Sequence, residues 1–168
     1  MDQNLNSKKD LKNLLTSILN KNKIKISLFI TFLLVALITY SILNQKNKRK
    51  NILLSEKFIK AGILFSNEKK DEAKNFYSEI ILEDNKFYSL LALNQIIEKN
   101  LIKDKSIILE FFSKLEKKTG SSEFKDLILF KKALYLIKND ETETGKIILN
   151  NLIEKNSNLK LAAEEIIK

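Results

Sequence analysis

The 168-residue chain contains no Cys, His, Pro or Trp, one Met and three Gly. Without Cys or His there is no thiol nucleophile, no Ser–His dyad, no thiolate or imidazole metal site and no disulfide. Gly62, Gly120 and Gly145 are too scattered to build a phosphate-cradling loop or a dinucleotide fingerprint. Carboxylates and lysines remain, but most catalytic chemistries have lost their parts. The expectation is a protein that is not an enzyme and carries no cofactor or metal. The missing thiols suit cytoplasm and periplasm equally.

What is abundant is Lys, Asn and Ile, the signature of an AT-rich coding sequence, which weakens any single Lys as a functional signal. Lys and Arg number 30 against 21 Asp and Glu, a formal net charge of +9. That excess sits in the first third. Residues 1–50 carry ten basic side chains against Asp2 and Asp10, whereas residues 51–168 carry twenty Lys against nineteen acids. A nucleic-acid-binding domain needs its basic stripe on the folded part, so no nucleic-acid partner is expected.

Residues 26–43, ISLFITFLLVALITYSIL, form eighteen positions without a charge. As a helix they span about 27 Å, close to the ~30 Å hydrocarbon core of a bilayer. Tyr40 stands near one end, where an amphipathic ring suits the interface. A buried core helix rarely stays apolar on every face for five turns. No small-x-small cleavage site follows Leu43, so the segment reads as an uncleaved span rather than a signal peptide. Six lysines precede it (Lys8, Lys9, Lys12, Lys21, Lys23, Lys25) and six basic residues follow (Lys46, Lys48, Arg49, Lys50, Lys57, Lys60). The positive-inside rule therefore gives no orientation.

Ahead of the span, Leu11, Leu14, Leu15, Ile18 and Leu19 make one helical stripe, with Ser7 placed to cap it. Residues 1–25 thus form an amphipathic basic segment suited to a membrane surface or to a groove on a partner. Residues 44–51 form a basic juxtamembrane collar, and the remainder, 52–168, a helical domain. Its apolar residues recur at helical spacing, broken by polar clusters at 67–70, 84–86, 100–104, 119–122, 139–141 and 156–158. Six helices and a last short one through Leu161 to Ile167 follow from those breaks. Ser121 or Ser122 with Glu123, and Asp140 with Glu141 and Glu143, place caps and anions at helix N-termini. Phe111 and Phe112 are adjacent, so one of them is expected to be left for a partner or the next helix.

A shift of 72 residues aligns 58–81 with 130–153, with identities at Phe58/Phe130, Lys60/Lys132, Ala61/Ala133, Leu64/Leu136, Asn67/Asn139, Lys74/Lys146 and Ile81/Ile153. Ala73 and Gly145 occupy matching small positions, which let antiparallel helices approach closely. The unit between, about 86–118, is off-pattern, with Ala92 and Ser106 the nearest small residues.

The stretch DEAKNFYSEIILEDN, Asp71 to Asn85, resembles the second helix of a tetratricopeptide repeat, with Ala73 and Tyr77 at its small and aromatic positions and Ala61 and Leu64 matching the first helix. Asn85 stands where that motif often has Pro. With its amphipathic N-terminus, single span, basic collar and degenerate repeats, the whole chain is similar to the YfgM-like family of ancillary subunits of the bacterial SecYEG translocon. The resemblance implies an all-α fold in which one N-terminal transmembrane helix is followed by a tetratricopeptide-like α-solenoid of about three helix pairs. It implies a single-pass inner-membrane protein with a cytoplasmic N-terminus and a periplasmic repeat domain. The bilayer, translocon subunits and exported or periplasmic proteins would be its partners. Carried over from the family, Phe58, Gly62, Phe65, Phe130, Leu134 and Ile137 would line a protein-binding groove, although aromatics at this spacing are more often core. The competing function is a structural scaffold of an envelope assembly or cell-division complex gripping one folded partner. Glu79 and Glu83, one turn apart, need no pocket to explain them.

Overall fold

The computed structural model describes residues 22–83, 85–118 and 120–168, apart from the side chain of Ile26. The expected amphipathic helix through Leu11 and Leu19 lies outside the described residues. Among those described there is no strand, and seven helices follow in order: α1 Lys23–Ser66, α2 Lys70–Leu82, α3 Lys86–Glu98, α4 Lys105–Lys118, α5 Ser122–Lys138, α6 Thr142–Glu154 and α7 Lys160–Ile167. Two compact units divide the chain, Met1–Lys50 and Asn51–Lys168.

In the first unit, the apolar run belongs to α1, which also includes the collar residues 44–51. None of its most apolar stretch is buried by the fold, and it is long and apolar enough to cross a membrane. Its hydroxyls add little polarity. Thr31 donates to the Ser27 carbonyl at 2.9 Å and Thr39 to the Val35 carbonyl at 2.8 Å, the back-bonding that satisfies such groups where water is absent.

In the second unit, helices consecutive in sequence pack on one another from α2 to α7, and α2 also reaches α4. Residues 51–66 of α1 meet α2 through Phe58, whose ring stands edge-on to Tyr77 at 5.4 Å. The 72-residue correspondence is visible in the packing. Ala61 and Ala133 are fully buried, as are Ala73 and Gly145, Tyr77 and Leu149, and Ile80 and Leu152. Ala73 and Gly145 are each the fourth residue of their helix, and Ala163 takes that place in α7. In α4 the fourth residue is Ile108, also buried. The middle unit therefore fills with a large side chain the space its neighbours close with a small one, which is why neither Ala92 nor Ser106 serves as its counterpart.

Four of the described helices stop without glycine or proline. Glu68, Asn100, Asp140 and Asn156 each adopt positive φ, between 49° and 66°. The residue after each donates to the carbonyl five positions back: Lys69 to Leu64, Leu101 to Ile96, Glu141 to Leu136 and Ser157 to Leu152, all at 2.9–3.0 Å. These are Schellman terminations with non-glycine residues in the left-handed position. Asp140 was expected as an N-cap. It is a C-terminal stop instead, and the capping position of α6 is Glu141, whose side chain makes no cap hydrogen bond. Ser121, not Ser122, caps α5 by accepting from the Phe124 N–H. Asn85, at the position where the repeat motif often has Pro, caps α3 by accepting from the Tyr88 N–H at 2.9 Å.

Phe111 and Phe112 are both buried, so neither is left for a partner. The reason is that α4 packs against α2, α3 and α5, and so is covered on two sides.

Candidate functional site

The residues expected in a groove come from α1 and α5, and α3 joins them. Phe58 and Gly62 line an open concavity of about 460 Å³ with Ile59, Ile63 and Tyr77, closed on the far side by Gln95 and Lys99 of α3. Gly62 leaves its floor low, since the nearest atom to a Cβ there would be the Tyr77 hydroxyl at 3.7 Å. Burial pushes that tyrosine's pKa above the ordinary phenol value, so it stays a neutral hydroxyl across the physiological range. Leu134 lines a second, smaller concavity of about 160 Å³ between α3 and α5, floored by Phe112 and Tyr135 and walled by Asn94, Ile97 and Glu98. Both hollows share α3 as a wall.

The other expected residues are placed differently. Phe65 is half-buried against the larger core and lies under Lys99, whose ammonium sits 4.0 Å from the ring centre. Phe130 packs on the smaller cluster formed by Ala133, Leu149, Leu152 and Ala163. Ile137 packs there too, and its side chain fills the space a Cβ on Gly145 would need. The structure thus brings Phe58 and Gly62 together, sets Leu134 in a neighbouring hollow, and engages Phe65, Phe130 and Ile137 mainly in packing.

Sequence reasoning missed the contribution of α3. Asn94, Gln95, Ile97, Glu98 and Lys99 lie in the unit that carries no repeat signature, and no local spacing marks them. The polar ties between helices were missed as well. Buried Asp126 of α5 accepts from Lys155 at the end of α6. Burial disfavours its charge, yet hydrogen bonds from Lys155 and Ser157 and the Lys155 charge prevail, and its pKa lies below the usual carboxylate value. Lys132 of α5 pairs with Glu116 of α4 at 2.9 Å, and Lys57 of α1 with Glu79 of α2 at 3.2 Å. Lys105 bridges to Glu141 and to the Asn139 carbonyl, joining α4 to the turn before α6. Glu79 is therefore held in an ion pair on the surface.

Chemically, the two hollows offer apolar floors with amide and ammonium rims, an arrangement for holding side chains of another molecule. Among the described residues no cluster of three acidic side chains is placed to hold a metal ion. No protein-family model, curated protein or solved structure matches the chain.

Proposed function

We propose that this chain is a membrane-tethered helical-repeat adaptor or chaperone that binds proteins at the bacterial inner membrane, an ancillary subunit of the Sec translocon assisting exported proteins. In this reading α1 crosses the bilayer, and residues 51–168 form a tetratricopeptide-like solenoid on the periplasmic side. The pairs are residues 51–66 of α1 with α2, α3 with α4, and α5 with α6, and α7 packs on α6. The observation that carries the proposal is the combination, in one chain, of an apolar helix with no core of its own and alternate helices α1, α3 and α5 framing two apolar-floored hollows. The packing of consecutive helices from α2 to α7 and the recurrence of buried small residues at a 72-residue interval support the solenoid. The link to the translocon rests on the family resemblance.

The mechanism is reversible binding without a covalent step. An extended segment lies across the array and places side chains in the hollows. The tether holds the array near the membrane, so each contact can be weak while occupancy stays high. Topology tests this first. Spheroplasts carrying a tag after Lys168 are treated with protease, and the reading expects digestion from outside. A photoreactive residue at Phe58 is then expected to crosslink to many exported proteins and to translocon subunits. Protection of the tag until lysis overturns the periplasmic assignment, and a single stoichiometric folded partner favours the scaffold.

A further inference from the structure

The lysines of residues 51–168 differ in what they meet. Lys57, Lys105, Lys132 and Lys155 each pair with a carboxylate across helices or turns. Those that rim the hollows do not. Lys99 lies over the Phe65 ring rather than beside an acid, and Lys131 and Lys138, which border the Leu134 hollow, make no ion pair among the described residues. Lys131 and Lys138 therefore stand as unpaired ammonium groups beside an apolar floor, as Lys103 and Lys146 stand unpaired elsewhere among the described residues.

The spacing is specific. Lys131, Leu134, Tyr135 and Lys138 are at i, i+3, i+4 and i+7 of α5, one face of the helix. The two lysines are rooted about 10 Å apart, one on each side of Leu134. On the opposite wall stand Asn94 and Ile97, with Glu98, whose carboxylate accepts from the Gln95 amide at 3.3 Å. An extended chain presents every second side chain to the same side, at about 6.6 Å intervals. One apolar side chain entering the hollow is therefore flanked by side chains two positions before and two after it. Those two lie within the arc that long lysine stems sweep from either side.

We propose that the α3–α5 hollow recognises an extended protein segment of the pattern acidic–x–apolar–x–acidic, with the apolar side chain over Leu134 and Tyr135 and the two carboxylates on Lys131 and Lys138. This rests on the client-binding reading above and names the client chemistry. A nucleic acid or an anionic lipid headgroup would satisfy the lysines but leave the apolar floor unfilled.

The test uses the full chain in nanodiscs and fluorescence anisotropy with a short labelled peptide containing Asp-Ser-Leu-Ser-Asp. The peptide is expected to bind, to weaken as salt is raised, and to bind about tenfold more weakly to Lys131→Glu/Lys138→Glu. Lys103→Glu/Lys117→Glu, which changes net charge equally outside the hollow, is expected to bind like the parent. Circular dichroism confirms that both variants keep their helices. Equal binding of an Asn-Ser-Leu-Ser-Asn peptide overturns the acidic preference and leaves client binding standing, provided the Phe58 crosslinks persist. Equal binding of Asp-Ser-Ser-Ser-Asp overturns it in favour of a general polyanion surface. Absence of all peptide binding, together with absence of crosslinks, overturns both readings.

Discussion

Gly145 and Gly62 are the same residue type with opposite demands on them. A Cβ at Gly145 would lie 2.6 Å from Ile137 Cγ1 and 2.8 Å from the Ala133 carbonyl oxygen, so α5 and α6 touch there backbone to side chain. Alanine is the better helix former by about 1 kcal/mol, but overpacking a closed contact costs about 1–3 kcal/mol. Gly145→Ala is therefore expected to destabilise the domain, and Gly62→Ala, whose Cβ would make only an ordinary contact with the Tyr77 hydroxyl at 3.7 Å, to stabilise it by roughly 0.5–1 kcal/mol. Denaturant titration of the two variants checks the sign of each. Asp126 supplies a pH prediction. Its folded pKa lies below the unfolded value, so its contribution is present above about pH 4 and disappears as pH falls through the lower folded value. Asp126→Asn is expected to cost about 1–2 kcal/mol at neutral pH. It should also flatten the acid limb of the stability profile. An unchanged acid limb in the variant overturns this assignment.

At the scale of elements, helix positions were legible because the polar clusters coincide with real ends. Every break read from the sequence lies at a junction between two helices, with Lys70, Lys86 and Ser122 already the first residues of the next. How the helices stop was not legible. Glycine is the usual marker of a left-handed stop, and Glu68 and Asp140 look instead like surface acid or an N-cap. Glu68 has the largest and least suited side chain of the four, since Asn and Asp tolerate this conformation better. Glu68→Gly is expected to raise stability by roughly 0.5–1 kcal/mol, read as a higher melting temperature, while Asn100→Val lowers it. For α1, Leu34→Lys places a charge near the middle of the apolar run at a cost of about 2.5–3.5 kcal/mol for insertion. Carbonate extraction is expected to release a larger share of that variant from membranes, and equal retention would contradict a spanning role.

The whole of residues 51–168 is held by a quasi-linear chain of contacts, with one extensive buried cluster from Leu54 to Ile128 and a smaller one around Ala133, Leu149, Leu152 and Ala163. In such arrays local opening is cheapest where a unit has a neighbour on one side only. Amides of α6 and α7 are therefore expected to exchange hydrogen faster than those of α2 to α4, as mass spectrometry would resolve by segment. Leu161 is 79 % exposed on α7. The candidate groove was only partly legible, for a reason of the same scale. Sequence analogy picks out residues on α1 and α5, but a hollow has two walls, and the shared wall, α3, lies in the stretch where the sequence shows no repeat pattern. Interhelical ties such as Lys155 with Asp126, 29 positions apart, follow no local rule and emerge only once the helices are stacked.

The four left-handed stops also bear on the coding sequence. Glycine and proline triplets begin with two G or C bases, whereas Asn, Asp and Glu codons need at most two such bases in all, and Asn can be written with none. A genome drifting toward A and T can lose its glycines at helix ends and keep the turns, as long as Asn or an acid takes the left-handed place. This chain ends its helices in that vocabulary, so the scarcity of glycine in it is compatible with sharply defined hairpins.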